Sequence, residues 1–497
     1  MAELLLGDVP ERNAARLGPA RWAVRHGADV LGWGELAERA LRRAHALAGQ
    51  GVAQGDRVVL ALPNANAFHE LTFALWKLGA TPTVVSPRLP EAELRAIVAL
   101  AEPRAVIAAD PALQAALGAL PMDFGRDHAN AAPLASLESP HWKAMTSGGS
   151  TGRPKLIVDA LPSRMDDALR SLRMPVDGVM LNPAPLYHNF PFAMVHMQML
   201  LGTSVVGMAA FDAAEWLALV ERYRVQWTML VPTMMSRIAR LPESVRRGAD
   251  LTALETVWHT AAPIPQGLKQ LWIDWLGPDR IWEIYGGTEG FCTTQLSGSE
   301  WLAHRGSVGR IVGGELMIRG EDGVPLPPGE VGEIFMRKAG GAPSYRYVGA
   351  QSRRLDDGFE SLGDFGWVDA EGYLYIADRR ADLILSGGHN VYPAEVEGAL
   401  LDHPAVAEAI VIGLPDADMG ARVHALVRLE KGASASKDDL LAFARERLVS
   451  YKLPRTIEFT DQPLRDEAGK ARRGKLREER MRLLAGGLFF ERARMAG

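Results

Sequence analysis

The sequence predicts an α/β fold: a large N-terminal domain of layered α/β subdomains with a β-rich subdomain, followed by a small α+β C-terminal domain. Strand-like and helix-like segments alternate through the first half of the chain. Short strand-like segments divided by glycine and proline turns follow Gly306, and a compact mixture of helices and strands closes the chain. Alternation is typical of parallel sheets covered by helices, whereas short strands between turns indicate a smaller β-rich unit.

The elements of the first half follow from the spacing of apolar residues. Apolar positions three or four residues apart, as in Leu36, Ala40, Ala44 and Leu47, predict helices, and short continuous apolar runs predict buried strands. The predicted helices cover residues 33–48, 67–78, 91–101, 192–201 and 213–223. The predicted strands cover residues 57–62, 83–85, 105–108, 179–182, 204–206 and 227–231.

The second half divides into two units. Strands over 315–318, 332–336 and 373–376, separated by turns such as Pro327-Pro328-Gly329, predict the β-rich subdomain. The C-terminal unit has predicted helices over 393–401 and 437–448, predicted strands over 406–412, 423–429 and 456–459, and a basic terminal helix. A charged stretch at 378–382 lies between two strand-like segments. We therefore predict domains of residues 1–380 and 381–497.

Composition excludes several classes of protein. The chain has 497 residues, a net charge of −5, 47% hydrophobic and 23% charged residues, which is typical of a globular protein and argues against a nucleic-acid binder. One cysteine, Cys292, excludes a disulfide framework and a multi-cysteine metal site. The longest apolar stretch, at 199–211, is shorter than the ~20 residues of a membrane-spanning helix. No targeting segment is recognised, so we expect a cytoplasmic protein.

The strongest chemical signal is a stretch rich in glycine and hydroxyl residues that ends in a lysine. Residues 146–153 contain three glycines, two threonines and two serines, and Arg153-Pro154-Lys155 leads into an apolar strand. Glycines allow backbone N–H groups to converge on an anion, and hydroxyls add donors, which suits polyphosphate. The stretch lacks the Gly-Lys-Ser/Thr ending of a Walker A loop and the GxGxxG dinucleotide pattern. The candidate phosphate-binding residues are Thr146, Ser147, Gly148, Gly149, Ser150, Thr151, Gly152 and Lys155.

This stretch resembles the phosphate-binding signature of the adenylate-forming superfamily, which comprises acyl- and aryl-CoA ligases, luciferases and peptide-synthetase adenylation domains. The usual form begins Thr-Ser-Gly-Thr-Thr-Gly, and this chain has Gly149 and Ser150 at the two central threonine positions. Further matches follow in the family's order along nearly the whole chain. The resemblance implies that ATP, with Mg²⁺, activates a carboxylic acid, and that CoA is the acceptor.

A second match, Tyr285-Gly286-Gly287-Thr288-Glu289, resembles the family's Tyr-Gly-x-Thr-Glu pattern. The resemblance implies that Tyr285 and Gly286 bind the nucleotide, with the ring stacked on adenine. It also implies that Thr288 contacts the adenylate phosphate or the acyl carboxylate and that Glu289 holds Mg²⁺. These roles suit the residue types, because a hard cation prefers carboxylate oxygen and an aromatic face suits a purine.

A third match begins at Gly363-Asp364-Phe365-Gly366 and continues to Arg379. By resemblance, Asp364 and Arg379 contact the ribose. The family usually has Gly-Arg where this chain has Asp378-Arg379, and it has Asp or Lys at the hinge position occupied here by Ala381. Hinge residues need only absorb a backbone change, so a small residue is compatible with rotation of the C-terminal domain.

Two further matches lie in the C-terminal domain. Ser386-Gly387-Gly388-His389 resembles the strand-turn that lines the pantetheine channel of CoA ligases, with Gly387 and Gly388 close to the cofactor. Gly469-Lys470, followed by a basic helix, resembles the family's catalytic lysine. Lys475 follows Gly474 and is the rival, but spacing to the closing Leu-Arg pair favours Lys470.

The acid pocket is the least defined part of the predicted site. Tyr187 and His188 resemble the segment in which an aromatic residue or histidine gates the acyl tunnel, and Thr260, Ala261 and Gly287 would form other walls. The family often has a larger residue at the position of Gly287. Because glycine leaves space, we expect a bulky acid, either aromatic, polycyclic or branched.

Together these features predict an AMP-forming acyl-CoA synthetase whose catalytic residues are Lys470, Thr288, Glu289 and His188. The expected partners are a carboxylic acid, ATP and CoA, without nucleic acid or a membrane span, and a homodimer is left open. Three alternatives remain at this stage: an amide synthetase with an amine acceptor, loading of a carrier protein in trans, and a non-catalytic nucleotide- or acyl-binding protein.

Overall fold

The computed structural model describes residues 4–147, 154–166, 171–341, 343–379, 382–386, 389–416, 418–466, 469–486 and 490. The strands of the first half are β1 (Leu4–Leu5), β2 (Trp22–His26), β3 (Asp29–Gly32), β4 (Arg57–Ala61), β5 (Thr81–Val85), β6 (Ala105–Ala108), β7 (Leu120–Pro121), β8 (Ala144–Ser147), β9 (Lys155–Asp159), β10 (Arg164–Met165), β11 (Val179–Asn182), β12 (Ser204–Gly207) and β13 (Trp227–Leu230). The remaining strands are β14 (Thr256–His259), β15 (Ile281–Gly286), β16 (Thr293–Ser297), β17 (Arg310–Val312), β18 (Gly314–Arg319), β19 (Gly332–Lys338), β20 (Tyr345–Val348), β21 (Glu360–Val368), β22 (Leu374–Arg379), β23 (Ile384–Ser386), β24 (His389–Val391), β25 (Val406–Asp416), β26 (Gly420–Leu429) and β27 (Thr456–Phe459).

The α-helices cover or connect these strands. They are α1 (Val9–Leu17), α2 (Trp33–Gly49), α3 (Asn66–Lys77), α4 (Glu91–Ala101), α5 (Pro111–Leu117), α6 (Asn189–Leu200), α7 (Ala213–Arg222), α8 (Pro232–Ala239), α9 (Glu243–Gly248), α10 (Gln266–Leu276), α11 (Gly298–Ala303), α12 (Pro393–Leu401), α13 (Lys437–Arg445) and α14 (Arg473–Ala485). Among the residues that the structure describes, no helix is both long and apolar enough to cross a membrane.

Two large sheets form the N-terminal region. In the described residues, one sheet has the order β20-β9-β8-β5-β4-β6-β7 and the other has the order β17-β16-β15-β14-β13-β11-β12-β2-β3. The central pairs of both sheets are parallel, and the strands added at the edges are mostly antiparallel. The predicted α/β class with layered parallel sheets is therefore confirmed.

Two further sheets are antiparallel except for the parallel pair of β26 with β27, and β1 pairs with β10 in a short antiparallel sheet of its own. β18, β19, β21 and β22 form the β-rich subdomain, and β24, β23, β26 and β25, with β27 beside β26, form the C-terminal sheet. The sequence predicts that the strands after Gly306 form a separate β-rich subdomain. β20 differs, because it pairs with β9 and so joins the seven-stranded sheet. That pairing brings Tyr347 opposite Ile157 and places the β-rich segment beside the stem of the glycine-rich stretch.

Most predicted boundaries agree with the structure to within three residues. The predicted helix at 192–201 begins earlier, at Asn189, because Pro191 occupies the first turn, where a proline interrupts no helical hydrogen bond. The predicted helix at 437–448 ends at Arg445. Leu448 continues the apolar spacing because it packs on the C-terminal core from the turn that follows the helix.

The main core lies between the two large sheets. On β4, Val58 and Leu60 face this core, whereas Val59 and Ala61 face a second cluster beneath α4 and α5. Both faces of the strand are therefore buried, which explains its continuous apolar sequence.

Three histidines lie inside this N-terminal core. His26, His69 and His196 are neighbours, with ring centroids 5.7 Å apart for the first pair and 5.3 Å apart for the second. Both ring nitrogens of His69 lack a hydrogen-bond partner among the described residues. Burial lowers the pKa of all three imidazoles below 6.5, that of His196 to about 4. We conclude that they are neutral in the native state at neutral pH.

These histidines should make the fold sensitive to acid. Below pH 6.5 these histidines become protonated in the unfolded chain but stay neutral in the folded core. The free energy of unfolding therefore falls as the pH falls. Each histidine held neutral costs about 1.4 kcal/mol per pH unit in this range. We expect His69→Leu to flatten the loss of stability between pH 6.5 and 5, measured by urea unfolding. The exposed His128 provides the control, and an equal effect of His128→Asn would contradict the assignment to the buried cluster.

Candidate active site

Four neighbouring parallel strands end at one edge of the nine-stranded sheet. They are β15, β14, β13 and β11, in that spatial order. The segments that leave their carboxyl ends contain Gly287, Thr260, Val231 and His188, respectively. Ligands of α/β proteins bind outside the carboxyl ends of parallel strands. This edge is therefore the candidate site.

The glycine-rich stretch joins two antiparallel strands. In the hairpin of β8 and β9, Thr146 pairs with Leu156 and the backbone of Ser147 pairs with Lys155. The candidate residues Gly148, Gly149, Ser150, Thr151 and Gly152 lie outside the described residues. The stem nevertheless fixes the position of Lys155, whose Nζ lies 3.7 Å from Oε1 of Glu289.

Glu289 lies in a tight turn after β15. The N–H of Gly290 donates to the carbonyl of Gly287 at 3.1 Å, so that Thr288 and Glu289 are the two central residues. The Glu289 side chain is buried, and Tyr347 donates its hydroxyl to Oε1 at 2.6 Å. Ser344 donates its hydroxyl to the Glu289 carbonyl at 2.9 Å. Carboxylate oxygens are ligands that a hard divalent cation prefers, so Glu289 fits the magnesium ligand that the resemblance implies.

Tyr285 and Asp364 meet at the same edge. The hydroxyl of Tyr285 donates to Oδ2 of Asp364 at 2.6 Å, and the Asp364 side chain is buried. Asp364 lies in β21, directly opposite the backbone of Arg379 in β22. Gly286 precedes the turn and is exposed. The structure thus brings together the residues expected to hold the adenine and the ribose.

The C-terminal lysine segment also reaches this edge. A Cβ on Gly469 would lie 3.4 Å from Oγ1 of Thr233 and 3.6 Å from Cγ2 of Val231, and Gly469 has φ +73°. The N–H of Lys470 donates to Oδ1 of Asp466 at 2.9 Å, and the N–H of Asp466 donates to the Lys470 carbonyl at 3.0 Å. The positive φ favours glycine before the lysine, whereas the space around it would admit a Cβ at ordinary van der Waals distances. Lys475, the rival, is exposed on α14.

His188 connects the lysine to the predicted acid pocket. Its pKa falls to about 3, because the imidazole is buried and because the positive charge of Lys470 acts on it. The ring lies 4.7 Å from that of Tyr187. His188 is therefore neutral at physiological pH and lies within electrostatic reach of Lys470. Its role as a gate stays a prediction.

The other predicted walls follow β14 and β15. Thr260 is half-buried, and Ala261 is exposed with φ +77°, a left-handed conformation that L-residues rarely adopt. A Cβ on Gly287 would come within 2.5 Å of Oε2 of Glu289 and 2.8 Å of Leu362. The Glu289 carboxylate thus lies in part of the space beside this glycine. The role of Gly287 as room for an acid stays a prediction.

Gly387, Gly388 and the predicted hinge Ala381 lie outside the described residues. The described neighbour of the hinge, Asp382, accepts a hydrogen bond of 3.0 Å from Arg473.

Sequence reasoning missed a buried ion pair behind the site. Lys269 of α10 donates to Glu283 of β15, both are buried, and His259 Nε2 lies 3.7 Å from the same carboxylate oxygen. Burial lowers the pKa of Lys269, although Glu283 opposes the shift. A signal existed, because Lys269 shares the apolar face of its helix with Trp272 and Ile273. Tyr347 and Ser344 were also missed, although Tyr345-Arg346-Tyr347 has the alternation of a strand.

Comparisons with known proteins agree with this geometry. Residues 11–346 match the family model for AMP-binding enzymes, and residues 395–470 match that for the AMP-binding enzyme C-terminal domain. A feruloyl-CoA synthase from Amycolatopsis sp is 34% identical over 95% of this chain and 98% of its own length. A 2-succinylbenzoate–CoA ligase from Bacillus licheniformis is 30% identical over 95% of this chain and 100% of its own length. The structure of the amide bond synthetase McbA from Marinactinospora thermotolerans superposes with a TM-score of 0.81 at 25% identity, covering 96% of this chain and 100% of that chain.

The buried ion pair provides a stability prediction. Lys269→Met leaves the Glu283 carboxylate buried without its cation, and we expect the free energy of unfolding to fall by about 3–5 kcal/mol. The double variant Lys269→Met/Glu283→Gln should regain most of this loss. Arg95→Ala, which removes an exposed ion pair with Glu91, should cost at most about 1 kcal/mol. Urea unfolding at pH 7 measures all three, and a double variant as unstable as the single one would refute the charge argument.

Proposed function

The chain belongs to the family of AMP-binding enzymes and is an adenylate-forming acyl-CoA ligase, and we propose that it activates a bulky or aromatic carboxylic acid and transfers the acyl group to CoA. The observation that carries the proposal is the convergence of Lys470 and His188 at the sheet edge that also holds Tyr285 and Glu289. A cation from a distant part of the chain thus approaches the end of the nucleotide site where an acid would lie.

The first half-reaction is attack of a carboxylate oxygen on the α-phosphorus of ATP, which releases pyrophosphate and gives an acyl-adenylate. Lys470 would hold the attacking carboxylate and the α-phosphate together and stabilise the charge that develops between them. Lys155 would bind the departing phosphates, and Tyr285 and Asp364 would orient the nucleoside. Mg²⁺ held at Glu289 would supply neutralising charge to the phosphates.

The neutral state of His188 suits this step. A protonated imidazole beside Lys470 would compete with the lysine for the substrate carboxylate. Because burial and the lysine charge lower its pKa to about 3, His188 presents a neutral ring to the acid. The second half-reaction requires Lys470 to leave, so that a thiol can approach the acyl carbonyl. Rotation about Ala381 would remove it.

The aromatic character of the acid is supported by the relatives rather than by Gly287. The feruloyl-CoA synthase and the 2-succinylbenzoate–CoA ligase are both named for acids that contain a benzene ring. We extend this chemistry to the present chain.

An amine acceptor is the second candidate. The amide bond synthetase has the same architecture over its full length, and the chain's hinge position carries alanine rather than the family's usual Asp or Lys. An enzyme that transfers to an amine would use the same adenylation site, so the two candidates differ only in the second half-reaction.

The acid and the acceptor can be tested together. Purified protein with ATP and Mg²⁺ should release pyrophosphate with hydroxycinnamic or benzoic acids and far less with acetate. CoA should convert the adenylate to a thioester detectable by mass spectrometry. Faster turnover of acetate than of any large acid would contradict the bulky-acid proposal, and amide formation without CoA would favour the second candidate.

Lys470→Ala should separate the half-reactions. We expect acid-dependent pyrophosphate release to fall about 100-fold, the scale of losing one preorganised charge contact. Attack of CoA on supplied acyl-adenylate should be spared. Lys475→Ala, which removes a neighbouring exposed lysine, is the matched control and should retain both rates. Equal loss of both half-reactions in Lys470→Ala would rule out the proposed role.

A further inference from the structure

Strand β20 holds Glu289 at two points. From this strand, the Tyr347 hydroxyl donates to Oε1 of Glu289 at 2.6 Å. Just before it, Ser344 donates to the Glu289 carbonyl at 2.9 Å. Neither residue belongs to the motifs that define the site, and both come from a segment more than fifty residues further along the chain.

We infer that Tyr347 is a positioning residue that holds the Glu289 carboxylate and the Lys155 ammonium apart and aligned for the magnesium–triphosphate. The inference rests on the proposed function, because it assigns the alignment to the metal and phosphates of that reaction. Tyr347 acts through Glu289 and Lys155 and does not itself touch the reacting atoms.

One oxygen of the Glu289 carboxylate is held by a hydrogen bond. Oε1 accepts the phenolic hydrogen bond, and Oε2 lies in space that Gly287 leaves open, 2.5 Å from where a Cβ at that position would be. A hydrogen bond from a neutral donor to a carboxylate orients the group without cancelling its charge. The Tyr347 hydroxyl therefore orients the Glu289 carboxylate without adding a positive charge beside it.

The ring of Tyr347 acts on the lysine at the same time. Nζ of Lys155 lies 3.9 Å from the centroid of the ring, and 3.7 Å from Oε1 of Glu289. The second distance is longer than a charged hydrogen bond. The aromatic face attracts the ammonium while the hydroxyl occupies the carboxylate oxygen, so a closed Lys155–Glu289 ion pair is disfavoured.

The hydroxyl of Tyr347 is engaged with Glu289 through a hydrogen bond of 2.6 Å to a carboxylate oxygen. The neighbouring Tyr345 has a different partner, because its hydroxyl donates to Oε2 of Glu360 at 2.7 Å.

The test measures ATP binding without an acid, so that no turnover occurs. Isothermal titration of the full chain with ATP is repeated over a series of MgCl₂ concentrations and in EDTA. In the wild type, ATP affinity should increase with Mg²⁺ and reach half of its total increase at a midpoint concentration. For Tyr347→Phe we expect this midpoint to rise about 10- to 100-fold, the usual effect of losing a partner of a metal ligand. ATP affinity in EDTA should be unchanged, because the ring remains over Lys155.

Two further variants separate the roles of the hydroxyl and the ring. Tyr347→Leu removes both, so it should also weaken ATP binding in EDTA. Tyr375→Phe removes a hydroxyl that donates to Asp369 outside the site, and this matched control should behave as the wild type. Excess Mg²⁺ should restore pyrophosphate release in Tyr347→Phe, whereas it should not restore Glu289→Gln.

The outcomes distinguish this inference from the proposed function. A wild type without magnesium-dependent ATP binding or acid-dependent pyrophosphate release would overturn the function. If the wild type passes, a Tyr347→Phe variant that matches Tyr375→Phe, or that loses ATP affinity equally with and without Mg²⁺, would overturn the inference alone. Should Tyr347→Phe fail to fold, Ser344→Ala removes the second contact on Glu289, and an unchanged magnesium dependence in that variant would count against the inference.

Discussion

The common ending of β15, β14, β13 and β11 at one sheet edge is the constraint on which the site depends. Residues far apart in sequence meet there because neighbouring parallel strands deliver their carboxyl ends to the same place. The C-terminal loop needs only to reach this edge to join them. The loop approaches the edge at Gly469, where an added Cβ would lie at van der Waals distance from Val231 and Thr233, and the charge of Lys470 acts on His188.

The buried carboxylates around this edge are stabilised in two different ways. Glu289 and Asp364 each accept a hydrogen bond from a tyrosine hydroxyl, whereas Glu283 is paired with the ammonium of Lys269. A neutral phenol leaves the negative charge available to a cation or a sugar hydroxyl. A full ion pair neutralises it. The kind of partner depends on where the carboxylate lies. Glu289 and Asp364, which bind tyrosines, line the candidate site, whereas Glu283, which binds a lysine, lies behind it.

The sequence was sufficient to predict helices and strands, which depend on the local order of residues. It was insufficient to predict contacts between strands that are distant in the chain. The helix at 91–101 and the strand at 179–182 were predicted to the residue, because apolar spacing reports burial directly. Tyr347 was missed because its role depends on the pairing of β20 with β9, which no local pattern encodes. Gly287 was recognised from its motif, but the proximity of the Glu289 carboxylate to it becomes visible only once the turn is built. The functional roles of the motif residues stay predictions.

Contacts within the C-terminal region bear on the predicted rotation of that domain about residue 381. Arg473 donates to Asp382 and to the buried carboxylate of Glu397, and Arg465 donates to Glu397 and to the Gly469 carbonyl. This network lies wholly on the C-terminal side of Ala381, so it connects the lysine loop to the first residues after the hinge. Contacts of described residues across the division include the approach of Gly469 to Val231, where an added Cβ would lie at van der Waals distance, and the partly exposed ion pair between Arg240 and Glu430. An exposed pair contributes at most about 1 kcal/mol. Rotation would therefore break weak contacts at the edge while Lys470 travels with its supporting network unchanged.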